Sequence, residues 1–526
     1  GEDGGSLRGH GDAFCRKLEG MRQRAEVEEK YRWSVDEMFA SVEAWEGAFA
    51  SFKPKFERLS RCAGSLGGGV AAIQAFLELD TEVSRELDHL YTYAHLKHDE
   101  NTGAAAARGR LDRAQDLYSG YAAAVSFFEP EFLTLPDEVL DTCLKAAGLG
   151  EHRVLLERLR RRKAHVLSRE VEKSLAELSP CLSIAEDTFR SFNDTDLKFP
   201  EIVTSEGQVA LSHGNYLSLL LNPDRDTRRE AFTRYHQTFA SWPNLLASTL
   251  SGRVKQNVIM ARMRKYPSAL SASLQARYVD TGVYERLLQA VQQGIGTHHR
   301  YLDLRRRALK LERLEFYDLH LPIVKTSRAK FEADGARQLL LEAFAPLGSE
   351  YVEEVRKAFE NRWVDWYETP SKRSGAYSSG CYTSHPYILM NFDGTLNSVF
   401  TLAHEMGHSL HSLLSRRGQP YPTSRYPIFL AEVASIFNEH LLAEYLKGVV
   451  EKPEDRLYIL NYQLDQIRTT FVRQTMFADF ELAIHREGEA GQALTGERLR
   501  ELYTDRLKIY FADKVFIGGE IQAEWS

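Results

Sequence analysis

The hydrophobic positions along the chain recur mostly three and four residues apart, and alternating runs rich in Val, Ile and Thr are few. This periodicity predicts a mainly α-helical protein. One helix start is marked by Ser34 and Glu37, which have the spacing of an S-x-x-E capping box. Trp33, just before them, is placed to pack against the entering chain. We therefore expect a helix to begin at this point.

Two stretches depart from the helical pattern. Residues 197–211 predict a short hairpin, and glycines interleave with aromatic residues from Glu368 to Asn397, where Tyr387–Phe392 has the character of a strand. We place a domain boundary at the first stretch. The expected divisions are an N-terminal extension, a helical N-terminal domain and a second, C-terminally incomplete domain, over residues 1–30, 31–196 and 197–526.

The charge and cysteine content restrict the partners and the location. With 67 basic and 74 acidic residues the formal net charge is -7, so the chain has no cationic field to attract nucleic acid or anionic lipid. No run approaches 18 consecutive apolar residues, and we expect no membrane partner. The five cysteines lie far apart without a C-x-x-C pair, which is typical of a reducing compartment. We expect a cytoplasmic protein, with a removed targeting peptide as the alternative.

The sharpest motif is H-E-x-x-H, from His404 through Glu405 to His408. On a helix the two histidines lie one turn apart on one face, so both imidazoles can converge on one metal ion. Glu405 projects about 100° away, which suits a general base beside the metal. By chance the pattern would arise in roughly one such sequence in twenty. Thr395 or Asn397 can cap the helix.

A hydrolytic zinc site needs a third protein ligand, and the segment after Pro427 provides two candidates. Glu432 and Glu439 lie seven residues apart in an otherwise apolar helix, where a carboxylate should be paired or metal-bound. We favour Glu432 as the ligand, with Glu439 supporting a histidine. For His411 we favour a supporting or packing role. A helical scaffold with an incidental motif is the alternative, and it would bind no stoichiometric metal.

The sequence resembles the oligoendopeptidase F and thimet oligopeptidase group of zinc peptidases, and more closely the bacterial oligoendopeptidase F branch. The resemblance is carried by five segments that keep the order and approximate spacing of that family, residues 372–377, 386–392, 402–412, 431–439 and 471–481. It implies a mainly α, multi-helix, two-lobed peptidase enclosing a deep substrate channel, with a small β element ahead of the H-E-x-x-H helix. The second domain would be the catalytic domain.

The resemblance also implies the chemistry. One Zn²⁺ per chain would be held by His404, His408 and Glu432, with Glu405 as general base in a zinc metalloendopeptidase. The substrates would be short, unstructured oligopeptides, held in extended form by strand addition to the segment ahead of the helix. The residues expected to contact the peptide are Gly375, Tyr377, Tyr382, His385 and Tyr387.

The chain departs from this family at its end. Family members continue beyond a Glu-Trp pair like Glu524-Trp525 into helices with a His and several Tyr residues, which are thought to stabilise the oxyanion of the reaction. We expect a truncated form, a separate segment that completes the fold, or a homologue without activity. Self-association at the uncovered surface is a further expectation. The alternative function is a subunit that binds zinc and peptide but is inactive without the missing segment.

Overall fold

The computed structural model describes residues 22–204, 207–324 and 330–526. Helices account for 71% of the residues and strands for 4%, which confirms the predicted mainly helical class with small β elements. Residues 1–21, most of the predicted N-terminal extension, lie outside the described residues. The enclosed channel that the resemblance implies stays a prediction.

The helices of the described residues are numbered here in chain order. The first group is α1 (Val42–Ala50), α2 (Phe52–Ser60), α3 (Val70–Asp99), α4 (Ala105–Val125), α5 (Phe128–Thr134), α6 (Asp137–Lys145) and α7 (Arg153–Arg162). The second is α8 (Arg169–Leu182), α9 (Ile184–Ser191), α10 (His213–Leu220), α11 (Arg225–Ala240), α12 (Pro243–Met263), α13 (Ala269–Gln275) and α14 (Thr281–Ala308). The third is α15 (Ala333–Ala343), α16 (Ser349–Glu360), α17 (Leu396–Gly418), α18 (Ile428–Val449), α19 (Pro453–Gln466), α20 (Arg473–Glu489) and α21 (Gly496–Phe511).

The strands form two small sheets. Antiparallel β1 (Glu201–Thr204) and β2 (Gly207–Ala210) make the hairpin predicted within residues 197–211. The second sheet contains β3 (Val364–Asp365), β4 (Tyr377–Ser379) and β5 (Tyr387–Leu389), in the order β3-β5-β4. Strand β5 is parallel to β3 and antiparallel to β4, so β4 lies at an edge. The strand predicted at Tyr387–Phe392 is thereby confirmed in its first three residues.

The helix predicted to begin at Ser34 is wrong. Only a single 3₁₀ turn, Val35–Glu37, follows Ser34, and the Ser34 hydroxyl makes no cap hydrogen bond. It donates instead to the carbonyl of Asn361 at 3.0 Å, a partner more than 300 residues away. Within the described residues, the first α-helix begins later, at α1, where the Ser41 hydroxyl accepts from the backbone N–H of Ala44. A tertiary hydrogen bond has replaced the local cap.

The described chain divides into two compact units, each built from two separate stretches. Unit 1 combines residues up to Lys163 with Arg328–Val450, and unit 2 combines Ala164–Ser327 with Glu451–Ser526. These units do not follow a continuous boundary, so the predicted division at residue 197 stays a prediction. The H-E-x-x-H motif and the small three-stranded sheet both belong to unit 1.

Unit 2 has its own hydrophobic core. Side chains from α12, α14, α20 and α21 supply much of it, including the fully buried Leu302, Leu499 and Tyr510. Beside this core the buried Arg228 guanidinium pairs with Asp318 at 2.8 Å, which compensates two charges that are both removed from water. Unit 2 is thus a folded body in its own right.

Local signals explain where the two helices of the motif begin. The Thr395 hydroxyl accepts from the N–H of Ser398 at 3.2 Å, which confirms one of the two predicted caps of α17. Pro427, whose ring fixes a suitable backbone angle, precedes the first residue of α18. Along α17 most of the apolar side chains, among them Phe400, Leu402 and Leu410, are buried in unit 1. The helix is therefore anchored by packing as well as by its cap.

Candidate metal centre

Helices α17 and α18 approach each other closely at Gly407, between the two histidines of the motif. A Cβ at this position would lie 2.6 Å from the Cα of Ser435 and 2.7 Å from the carbonyl oxygen of Ala434. Only glycine fits that separation without a shift of one backbone. Asn438 joins the same two helices, because its amide donates to the carbonyl of Ala403 at 3.3 Å. The close approach brings the carboxylates of α18 to the histidines of α17.

His404, His408 and Glu432 converge on one point. The two Nε2 atoms are 3.1 Å apart, and the Glu432 Oε2 lies 3.2 Å from His404 Nε2 and 3.4 Å from His408 Nε2. Ligand atoms about 2.05 Å from a tetrahedral zinc ion would be separated by about 3.3 Å. The three observed separations therefore match three corners of such a tetrahedron. Among the residues that the structure describes, this is the group of His, Cys, Asp and Glu side chains close enough to hold a metal.

The hydrogen bonding of His404 fits a metal ligand. Its Nδ1 lies 2.7 Å from the Oε1 of Glu439. A carboxylate can only accept, so we assign the proton to Nδ1, which leaves a lone pair on Nε2 directed at the cluster. Burial lowers the pKa of His408, although Glu432 and the backbone of Ala431 act in the opposite direction. Two imidazole nitrogens and one carboxylate form the donor set that catalytic zinc prefers.

The surroundings of Glu432 differ from the expectation. We expected a carboxylate in apolar surroundings, but the Glu432 side chain is 55% exposed. The apolar residues next to it, among them Phe429 and Val433, are exposed as well, while the polar stripe of α18 faces α17. Ser435 belongs to that stripe, and its hydroxyl donates to Glu432 Oε2 at 2.8 Å. The carboxylate is thus held in place by a hydrogen bond rather than by burial.

Glu405 lies beside the cluster but is not part of it. Its side chain is turned inward, and the residue is only 7% exposed. Burial raises the pKa of Glu405 to about 7, although the neighbouring His404 and a hydrogen bond from the backbone of Ser378 act in the opposite direction. A carboxyl group with a pKa near neutrality can both accept and release a proton at working pH.

The two residues predicted to support the ligands have different surroundings. Glu439 contacts His404 directly, as described above. His411 stacks on the ring of Tyr426, with 3.7 Å between the ring centroids and an angle of 12° between the planes. That contact is one of packing. His411 is absent from the group of side chains that could share a metal.

The five residues predicted to contact a peptide lie in or around the small sheet. Gly375 has a φ of +83°, which favours glycine, and its carbonyl accepts from the Asn391 amide at 2.8 Å. Tyr377 lies in the edge strand β4, where its hydroxyl donates to Asp99 at 2.9 Å. Tyr387 is only 1% exposed in the central strand β5. The Tyr387 side chain therefore belongs to the core, and its contact with peptide stays a prediction.

Tyr382 and His385 lie in the turn between β4 and β5. The Tyr382 hydroxyl donates to the carbonyl of Gln419 at 3.1 Å. The His385 ring stacks on Trp363 at 5.0 Å, and its Nδ1 lies 2.6 Å from the carbonyl of Pro386. Each of the two side chains already has a protein partner. A role in binding peptide stays a prediction for them, as it does for Gly375 and Tyr377.

Several residues that hold the site were not singled out from the sequence. Gly407 allows the close approach, Ser435 fixes Glu432, and Asn438 receives a second contact from the hydroxyl of Tyr351 at 3.2 Å. A signal was present in the spacing, because residues 432, 435 and 438 recur every three positions along α18. Polar residues at helical spacing in an apolar helix indicate a face directed at another polar group.

Comparison with protein families agrees with the motif. Residues 218–526 match the model of peptidase family M3, and residues 131–199 match that of oligopeptidase F. The chain belongs to peptidase family M3. It is 39% identical over 513 residues to the oligopeptidase PepF of Bacillus subtilis, an alignment that covers 97% of this chain and 77% of PepF. This member of the M3 family is accordingly a peptidase, a hydrolase of peptide bonds.

Solved structures show that the M3 peptidase has the fold of its relatives. The crystal structure of a Chlamydophila abortus protein matches with a TM-score of 0.89 and 31% identity over 96% of this chain and 85% of that one. Oligoendopeptidase F from Enterococcus faecium matches with a TM-score of 0.69 and 32% identity, covering 94% and 83% of the two chains. Within the described residues of the M3 peptidase, the apolar stretches of the helices are too short to cross a bilayer.

Proposed function

We propose that this M3 peptidase is a zinc-dependent endopeptidase that cleaves internal bonds of short, unstructured oligopeptides. His404, His408 and Glu432 hold one zinc ion per chain, and Glu405 is the general base. The observation that carries the proposal is the convergence of three ligand atoms, all within 4.8 Å of one another, beside a buried carboxyl group. When bound, zinc supplies a Lewis acid that polarises the scissile carbonyl and makes water more acidic.

The residues of the chain supply the proton transfers. Glu405 accepts a proton from the water that attacks the peptide carbonyl, and it then delivers this proton to the leaving nitrogen as the C–N bond breaks. Burial raises the pKa of Glu405 and so strengthens it as a proton acceptor, whereas the charge of a bound zinc ion would act in the opposite direction.

The position of strand β4 supports the proposal of an oligopeptide substrate. It lies at the edge of its sheet, and among the described strands it pairs only with β5. An extended peptide can add to a free strand edge by main-chain hydrogen bonds, which requires no particular sequence but does require that the peptide be unfolded. Ser378 of β4 also contacts the motif helix, since its hydroxyl lies 2.8 Å from that of Ser409. A peptide on this edge would therefore lie beside the metal ligands.

The test compares the parent with Glu405→Gln, which keeps the size of the side chain and removes the base. We expect kcat on internally quenched peptides to fall by about 10²–10⁴, the usual contribution of a general base. Zinc content, measured by mass spectrometry of the metal, should stay at one per chain. Glu444→Gln is the matched control, because Glu444 is an exposed residue of α18 paired with Lys447. Substantial activity in Glu405→Gln would refute the assigned role.

The alternative of a binding subunit without activity makes a different prediction for the parent. It expects bound zinc and bound peptide but no cleavage under any zinc concentration. The buried carboxyl group of Glu405, beside the three ligand atoms, supports the enzyme over this alternative. Cleavage by the parent that disappears in Glu405→Gln would exclude it.

A further inference from the structure

A second polar cluster lies in unit 1, around the thiol of Cys381. Cys381 follows strand β4 by two residues and is only 5% exposed. Its side chain nevertheless lines a cavity of about 480 Å³. The other residues of the cavity wall include Tyr118, Tyr382, Arg416, Tyr421 and Arg425. The metal ligands are not among the lining residues, so this is a separate site.

The position of His89 makes it a proton acceptor for the thiol. Its Nε2 lies 3.0 Å from the carbonyl oxygen of Met38, which can only accept, so we assign the proton of the neutral ring to Nε2. The lone pair of Nδ1 then faces Cys381 Sγ at 3.6 Å and the hydroxyl of Thr383 at 2.8 Å. The Thr383 hydroxyl is itself 3.4 Å from the sulfur. The thiol proton can therefore pass to His89, and the hydroxyl can stabilise the resulting thiolate.

Arg416 provides a positive charge on the same cavity. Its Nη2 donates to the carbonyl of Gly380 at 2.9 Å, while its buried Nη1 has no hydrogen-bond partner among the described residues. The other charges of the wall are paired, because Asp88 accepts from Arg425 at 2.5 Å and from Tyr421 at 2.9 Å. A negative charge on Cys381 would attract the Arg416 guanidinium, as would the charge of Asp88.

The pKa values of the cluster agree with this geometry. Burial by itself raises the pKa of Cys381, but the contacts with His89, Ser384 and Thr383 lower it to about 7. Burial lowers the pKa of His89, and the contacts with Cys381 and Met38 raise it above its usual range. The titratable groups that line the cavity beside Cys381 are Asp88, Tyr91, Tyr118, Tyr382, Arg416, Tyr421 and Arg425. His89 contacts the thiol directly, and a charge on Cys381 acts on Tyr387 of β5. Burial raises the pKa of Tyr387 and Tyr421, so both stay neutral.

We propose that Cys381 is a modification site, a thiolate held by His89 that reacts with small hydroperoxides entering the cavity. The sulfur attacks one peroxide oxygen, so an S–O bond forms as the O–O bond breaks. The proton that His89 took from the thiol goes to the departing oxygen. With hydrogen peroxide the products are the sulfenic acid of Cys381 and water, so the sulfur is oxidised and the peroxide reduced. The proposal does not depend on the metal centre or on the proposed peptidase mechanism.

The three other cysteines of the described residues provide internal controls. Cys143 is fully buried, and burial raises the pKa of its thiol. Cys181 is exposed, and Cys62 is partly exposed with its thiol 3.7 Å from the carbonyl of Arg58. Among the described residues, none of these three thiols is hydrogen-bonded to a histidine. If exposure alone set the rate of oxidation, Cys181 would react fastest. Activation by His89 instead predicts that Cys381 reacts fastest.

The test treats the whole chain with hydrogen peroxide below stoichiometry at pH 7 and traps sulfenic acid with a dimedone-type probe. Mass spectrometry of the peptides then gives the rate at each cysteine. We expect Cys381 to react at least tenfold faster than Cys143 and faster than the exposed Cys181. In His89→Gln the rate at Cys381 should fall about tenfold, because an ordinary thiol pKa of about 8.5 leaves only a few per cent of thiolate at pH 7. His299→Gln, at a histidine bonded to the carbonyl of Tyr510, is the matched control.

A second measurement needs no variant and therefore does not depend on the folding of His89→Gln. The rate of alkylation of Cys381 by iodoacetamide in the parent should rise with pH to a midpoint near 7. The midpoint for Cys143, whose thiol pKa is raised by burial, serves as the comparison and should lie higher. A midpoint above 8 for Cys381, or a peroxide rate no greater than that of Cys143, would overturn the proposal.

Discussion

The hydrogen bond between Glu439 and His404 allows a test of how much a supporting residue contributes to zinc binding when all three proposed ligands are kept. The two side chains meet at 2.7 Å, and the Glu439 side chain is only 12% exposed, so little water screens the interaction. The carboxylate holds the His404 ring and makes Nε2 a stronger donor to a metal. We expect the loss of this partner to weaken zinc binding without removing any atom that contacts the metal.

The expected magnitude can be separated into two parts. Loss of a supporting partner of this kind usually lowers metal affinity 10–100-fold, or about 1.4–2.7 kcal/mol. Glu439→Gln removes the charge but keeps an oxygen that can accept from His404 Nδ1, so we expect about a tenfold loss. Glu439→Ala removes the charge and the hydrogen bond together, so we expect a loss nearer 100-fold. The order of the two variants is part of the prediction.

The assay is competition for zinc between the protein and a fluorescent chelator of known affinity at constant pH. Peptide cleavage at saturating zinc is measured in parallel and should recover most of the parental rate, because the ligands and Glu405 remain. Glu444→Gln, at an exposed residue of the same helix, should bind zinc as the parent does. Affinities within threefold of the parent for both Glu439 variants would refute the reasoning.

Two further predictions concern stability. Burial raises the pKa of Asp99, but hydrogen bonds from His95, His98 and Tyr377 lower it overall from 3.8 to about 2. The lowered value stabilises the fold by about 2 kcal/mol above pH 4, a contribution lost as the pH falls toward 2. Asp99→Asn should therefore have a lower free energy of unfolding in urea than the parent at pH 6, and this difference should narrow below pH 4. A difference that stays constant with pH would contradict the prediction. Gly407→Ala should cost about 1–3 kcal/mol, because its Cβ meets the backbone of α18. Thermal melting measures this cost. Gly448→Ala is the control, because an added Cβ there meets open space and should not destabilise the fold.

Parts of this structure could be predicted because they depend on neighbours in the sequence. The spacing of His404 and His408 places both rings on one face of any helix, whatever surrounds it. Thr395 caps its helix through the N–H of a residue three positions later. Pro427 favours a helix start because its own ring fixes the backbone angle φ. Each of these signals is complete within one or two turns of helix.

Other features depend on which element packs against which. Ser34 and Glu37 have the spacing of a cap, yet Ser34 bonds to Asn361 because the fold brings that carbonyl within reach. Tyr387 has the aromatic character of a binding residue, but β5 is central in its sheet and the ring is buried. The apolar surface near Glu432 is exposed because α18 turns its polar stripe toward α17. Composition could not decide which face of that helix points inward.

The sequence by itself determined the helical class and placed His404, Glu405 and His408 on one helix, because short-range geometry and a five-residue motif suffice for this. Only the tertiary structure decided how the carboxylate of Glu432 reaches the histidines. That depends on the approach of two helices at Gly407 and on the bond from Asn438 to Ala403, which are contacts across 27 or more positions of the chain. The Ser435 hydroxyl then holds Glu432 within its own helix. The cluster of Cys381 with His89 likewise joins residues almost 300 positions apart. No local pattern encodes such a meeting, because it follows from the packing of the whole unit.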